Sequence, residues 1–139
     1  MFGKWIAGLA ALSAIGGCAG QAAQERYAAQ VEIANRPIIC DGQEQCEIMW
    51  SRAIQWVKNN CAYRFQTVSD DLIQTAGPNP YSIEPAFVVN KLALGGGKYQ
   101  IEFDGGCDNM FGCSPTILEA KSKFVMYLMG AHPNDAIAQ

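Results

Sequence analysis

The chain has 139 residues, half of them hydrophobic, with 10 basic and 13 acidic side chains and a net charge of −3. That length and apolar content suit one domain with a real core. The charges are scattered without a basic block, which argues against nucleic acid and against electrostatic docking on anionic lipid.

Lys4 precedes an uncharged, largely apolar run over residues 5–14, and Ile15-Gly16-Gly17 then leads into Cys18. A positive charge, an apolar run and small residues in this order form the pattern of a secretory signal. The run is shorter than the ~20 residues a membrane span needs. Ile15-Gly16-Gly17-Cys18 resembles the lipobox of bacterial lipoproteins. In that family the leader is cut just before the cysteine, and its thiol carries a diacylglyceryl group. The resemblance implies a signal peptide over residues 1–17, Cys18 as the lipidated residue and attachment to the membrane through that lipid. Ala19 is not the Asp that tends to hold such lipoproteins at the inner membrane. An outer-membrane lipoprotein facing the periplasm is the implied address. Acyl chains bind bilayers at about 0.8 kcal/mol per buried CH2, so two or more of them anchor stably.

Five further cysteines remain: Cys40, Cys46, Cys61, Cys107 and Cys113. An exported domain can keep disulfides, and an odd number leaves one thiol over. No pair has the two-residue spacing of a zinc knuckle or a thioredoxin-type redox site, and the sole histidine, His132, lies near the end of the chain. No metal and no cofactor is expected.

Residues 19–35 are rich in Ala and Gln. They read as a tether behind the lipidated Cys18, partly helical, spanning about 20–25 Å on average if flexible. A docked N-terminal helix is the other reading. The domain proper is expected over 36–130, with residues 131–139 as a flexible tail. It begins with a short strand at 37–40. Asp41 followed by Glu44 suggests a capping box, and a helix is predicted over 43–60. Cys46, Trp50, Ala53, Val57 and Cys61 mark its buried face, widened by Met49, Ile54 and Trp56. A face this wide wants a sheet beneath it. Residues 63–68 and 72–75 read as two strands about a polar turn, with one bulged strand as the alternative. A loop at 77–80 follows. Residues 86–94 and 98–104 form the best hairpin, turning at Gly95-Gly96-Gly97. Ser114-Pro115 then opens a last helix over 115–129, with Ser as cap and Pro at the first helical position. Ile117, Ala120, Phe124 and Leu128 are its buried stripe.

The two helix starts echo each other. Cys40-Asp41 with Cys46 matches Cys107-Asp108 with Cys113, and Trp50, Ala53 and Val57 then match Ile117, Ala120 and Phe124 in phase. In each case the first cysteine ends a strand and the second sits near a helix start. Local pairing, Cys40 with Cys46 and Cys107 with Cys113, would pin both corners. Cross-pairing between corners stays open if the first and last strands are neighbours. Cys61 is then the free thiol, expected to be reduced and largely buried.

The fold class expected is α+β: a two-layer sandwich with an antiparallel sheet of four or five strands and two helices on one face. The words Cys40-Asp41, Trp50-Ser51-Arg52-Ala53, Trp56-Val57, Gly106-Cys107-Asp108-Asn109 and Phe111-Gly112-Cys113 resemble a group of small proteobacterial lipoproteins with a TBP-like domain and no assigned activity. The element order β-α-β-β-β-β-α is similar to theirs. The resemblance implies fold and no catalytic residues.

Candidate chemistry is sparse. Cys61 has no nearby base in sequence and lies at the wrong end of a helix to stabilise a thiolate. Asp104, Asp108 and Asn109 fit turn and cap duties better than a calcium loop. Met110-Phe111, in the loop between Cys107 and Cys113, reads either as a contact site or as a segment folded back on the core. The leading expectation is a non-enzymatic domain that binds an envelope protein or the cell wall. The alternative is a periplasmic small-molecule or lipid binder using space between helices and sheet.

Overall fold

A computed structural model of the chain describes residues 17–130. The signal peptide expected over residues 1–17, apart from Gly17, and the tail expected over 131–139 lie outside the described residues. The elements in chain order are α1 (Gly17–Ala34), β1 (Ile38–Asp41), α2 (Gln43–Asn60), β2 (Phe65–Val68), β3 (Leu72–Thr75), β4 (Ala86–Gly95), β5 (Lys98–Gly106) and α3 (Ile117–Leu128).

The sheet is built outward from the β4–β5 hairpin, whose register runs from Ala86 opposite Gly106 to Gly95 opposite Lys98. Gly96 and Gly97 have φ of 63° and 80°, the left-handed values that a two-residue hairpin turn demands at both positions. β1 adds to the free side of β5 and β3 to the free side of β4, giving an all-antiparallel sheet in the order β1-β5-β4-β3-β2. The 63–75 region is two strands rather than one. Ser69 makes the turn between them: its Oγ accepts from the N–H of Leu72 at 3.0 Å and donates to Asp71 Oδ1 at 2.7 Å.

Strand alternation puts Ile38, Cys40, Ile73, Phe87, Val89, Ile101 and Phe103 on one face. The buried sides of α2 and α3 join them in a single core. The fold is therefore α+β, five antiparallel strands with helices packed on one face, as the period-2 and period-3.6 patterns require. Trp56, Phe87, Phe103 and Phe124 form its centre, with the Phe103 and Phe124 rings stacked at 4.6 Å and Trp56 edge-on to Phe124 at 5.3 Å. Ala53 and Ala120, the matched alanines of the echo, are both buried where the helices meet this cluster. Ile117 departs from expectation: as the first residue of α3 it is only half-buried.

Both disulfides are local, Cys40–Cys46 and Cys107–Cys113, with Cα separations of 5.1 and 5.6 Å. β1 and β5 are indeed neighbours, but they are antiparallel, with Cys40 opposite Tyr99. Cys107 lies eight residues further along, roughly 26 Å away along a strand, so the corners cannot cross-pair.

Three local expectations are corrected. The cap of α2 is Gly42 at φ 85°, with no side-chain cap bond; instead the Gln45 side chain accepts from the N–H of Asp41 at 2.7 Å. The cap of α3 is Thr116, whose Oγ1 accepts from Glu119 N–H at 3.2 Å, because α3 starts two residues later than the Ser-Pro pair suggests. Residues 19–35 are not a loose tether but almost all of α1. The first three turns, to Ala29, are exposed, whereas Ala34 is buried and Ile33 packs on the core. The docked helix, the other reading, is what forms; weak amphipathicity favours the tether in the sequence because the apolar side chains that dock occur only in the last turn, at Val31, Ile33 and Ala34.

Candidate contact surface at one end of the sheet

Two loops leave the sheet at the end opposite the glycine turn, one before β4 (76–85) and one after β5 (107–116). Each is ordered by its own short polar side chains. In the first, Asn79 Oδ1 accepts from Tyr81 N–H at 2.9 Å and Ser82 Oγ accepts from Glu84 N–H at 3.1 Å. The Tyr63 hydroxyl accepts from Asn79 N–H at 3.0 Å, and Gly77 lies so close to the Tyr63 ring that a Cβ there would approach it to 3.1 Å. In the second loop, Asn109 Oδ1 accepts from Phe111 N–H at 2.7 Å, the Asx-turn use of an asparagine.

The loops are also fastened to each other. Asn109 Nδ2 donates to Ser82 O at 2.6 Å and Ser114 N–H donates to Ile83 O at 2.8 Å. The Cys107 sulfur lies 3.4 Å from the same Ile83 oxygen, and its disulfide to Cys113 closes the second loop. On this frame Tyr81, Met110 and Phe111 stand 95 %, 89 % and 85 % exposed, and Ile83 is half exposed. Met110 and Phe111 therefore do not fold back over the core. The reason is the asymmetry of the echo: Cys46 sits inside α2, but Cys113 lies four residues before α3, so the second corner bulges outward and carries its apolar pair with it. Tyr81 and Ile83 were not singled out from the sequence. The signal for them is an asparagine turn two residues earlier, but their meeting with Met110 and Phe111 depends on bonds spanning some 27 residues.

The other candidates separate. Cys61 is free, as expected, but half-buried rather than largely buried, because it is the extended residue that ends α2. Its thiol points to the Pro85 carbonyl at 3.6 Å. Cys18 is exposed in the first turn of α1. Asp104 accepts from Gly105 N–H at 2.8 Å, a local turn bond. Trp50 and Trp56 are buried, so neither presents a free stacking face. Among the described residues no group of three or more His, Cys, Asp or Glu is placed to hold a metal, and no helix is long and apolar enough to cross a membrane.

A groove of about 560 Å3 lies at the other end, between α2 and the glycine turn, lined among others by Glu47, Trp50, Ile54, Lys91 and Tyr99. Lys91 Nζ sits 4.9 Å from the centre of the Trp50 ring and 5.6 Å from that of Tyr99, so the lysine caps the aromatic surface there. Comparison with protein-family models, with characterised proteins and with solved structures finds no match.

Proposed function

We propose that this chain is a lipid-anchored envelope protein whose domain carries out no reaction and docks a protein partner through the tip formed by Tyr81, Ile83, Met110 and Phe111. The observation that carries this reading is four exposed apolar or aromatic side chains on two loops held rigid by a disulfide and cross-loop hydrogen bonds. A rigid frame matters because association then orders few side chains, and aromatic residues are the usual anchors of interfaces. The envelope address rests on the lipobox resemblance at Ile15-Gly16-Gly17-Cys18 and agrees with two disulfides, which persist outside the cytoplasm. A photocrosslinking residue placed at Phe111 in living cells tests the docking. One discrete adduct is expected from that position, and none from Lys58, an exposed site on α2. Equal, diffuse labelling from both positions would refute it. Cys18→Ser should abolish incorporation of labelled palmitate and release the protein from membranes; unlabelled wild-type protein would refute the anchor.

A second reading, small-molecule binding, draws on the groove beside Lys91. An amphipathic anion would lay its apolar part on the half-exposed Ile54 and Tyr99 and place its charge at Lys91, next to Trp50. Lys91→Met should then abolish ligand-dependent quenching of tryptophan fluorescence. Failure to find any quenching ligand among short fatty acids and aryl carboxylates would leave the docking reading alone.

A further inference from the structure

β1 covers only part of its neighbour. It pairs with residues 98–101 of β5, whereas β4 pairs with β5 along its whole length to Gly106. Residues 102–106, about 17 Å of strand, therefore have a ladder partner on one side only. The cause lies at the start of β1. Pro37 has no N–H to offer, and the N–H of Arg36, the residue that would face Phe103, turns back to Ile33 O at 3.1 Å.

The ladder also fixes which groups face the gap. Gly42 N–H donates to Gly97 O at 2.9 Å, continuing the register in which Cys40 faces Tyr99 and Ile38 faces Ile101. Hydrogen-bonded positions alternate along an antiparallel pair, so Phe103 and Gly105 are the next residues of β5 to aim their backbone groups outward. Gly105 N–H is taken by Asp104 Oδ1. Phe103 N–H and C=O and Gly105 C=O are left over. Open space lies against them: a cleft of about 470 Å3 runs along Glu102, Phe103 and Asp104, walled by the 34–38 segment and by Lys121 and Val125 of α3.

We infer that this cleft is a strand-addition site, which takes an extended peptide segment antiparallel to β5 in the place where β1 stops. Such binding draws on main-chain hydrogen bonds for affinity and on alternate side chains for selectivity. The walls define that alternation. On the helix side stand Val125 and Lys121, which has no ion-pair partner among the described residues. On the opposite side stand the exposed carboxylates of Glu102 and Asp104. The matching segment alternates an apolar or acidic residue toward α3 with a basic residue toward the open face of the sheet.

The test uses the full chain in detergent micelles and a phage library of random dodecapeptides, followed by amide hydrogen exchange with the enriched peptide. Phe103 N–H should exchange freely in the unbound protein and slow at least about tenfold at saturation, while Ile101 N–H is protected throughout. Lys121→Glu should weaken binding by about fivefold, and a peptide with its acidic residue changed to Lys should recover that loss. Protection of Phe103 N–H before peptide is added, enrichment of no peptide, or a peptide that leaves Phe103 exchange unchanged would each overturn the assignment.

Discussion

Phe124 and Phe111 are the same side chain in opposite surroundings, and truncating each to alanine tests how the core and the tip have been divided. Phe124 has 0 % exposure, stacks on Phe103 at 4.6 Å and takes the edge of Trp56 at 5.3 Å. Neighbours on the sheet and on α2 hold the space open, so the site collapses poorly. Removing a buried Phe costs about 3–5 kcal/mol, transfer and cavity together. Small domains have only about 5–15 kcal/mol in total, so Phe124→Ala should lose about a fifth or more of the stability. At a urea slope of about 2 kcal/mol per molar, the midpoint should fall by about 2 M with the slope unchanged. Phe111 stands 85 % exposed, and Phe111→Ala should stay within about 0.5 kcal/mol, a midpoint shift of a few tenths molar. Urea titrations followed by tryptophan fluorescence and by far-ultraviolet circular dichroism should coincide for all three proteins. Similar midpoints for the two variants, or a loss above about 2 kcal/mol at Phe111, would refute the placement of these rings.

Further outcomes follow from the same geometry. Peptide mapping without reduction should give one linked fragment holding Cys40 with Cys46 and another holding Cys107 with Cys113; a fragment joining Cys40 to Cys107 would contradict the antiparallel β1–β5 register. Replacing Cys107 and Cys113 together by serine should cost about 2 kcal/mol and speed amide exchange in the 107–116 loop before any other segment. Thr116→Ala should cost about 1 kcal/mol through loss of the α3 cap, whereas Ser114→Ala should cost a few tenths, the reverse of what the Ser-Pro signal suggests. Gly97→Val should destabilise the hairpin by more than 1 kcal/mol because a β-branched residue cannot hold φ 80° without strain, and thermal melts would register it.

The elements legible in the sequence were those whose signals are local. The helix at 43–60 agrees with α2 to the residue, since Gly42 and the end of the apolar stripe bound it. The hairpin agrees because three consecutive glycines leave little choice of turn. Both disulfides followed from a repeated context, and the phase of the echo placed Ala53 and Ala120 correctly in the core. Features that depend on chain segments meeting were not legible. Ser114 reads as the cap because a Ser-Pro pair satisfies the cap rules as well as the real start at Thr116 does. The loops of Tyr81 and Phe111 are joined by bonds from Asn109 to Ser82 and from Ser114 to Ile83, distant in sequence, and the uncovered length of β5 exists only once the register of β1 is known. Half of the tip, Met110 and Phe111, could be named from its place between Cys107 and Cys113; the cleft beside β5 could not.

The helical state of α1 changes the mechanics of whatever is attached at its start. As a random coil those residues would act as a string, letting the domain tumble through a sphere about its attachment. As a helix of 18 residues they form a rod roughly 27 Å long. Its last turn is clamped to the core through Ile33 and Ala34, and only residues 35–37 separate it from the sheet. A rod clamped at one end transmits torque as well as tension. The domain's attitude is thereby tied to the direction in which α1 points, and the tip at 81–83 and 110–111 stays at a fixed distance and angle from the start of the rod. Inserting a few glycines at residues 35–37 would place a hinge between the rod and the sheet without altering a single residue of the tip.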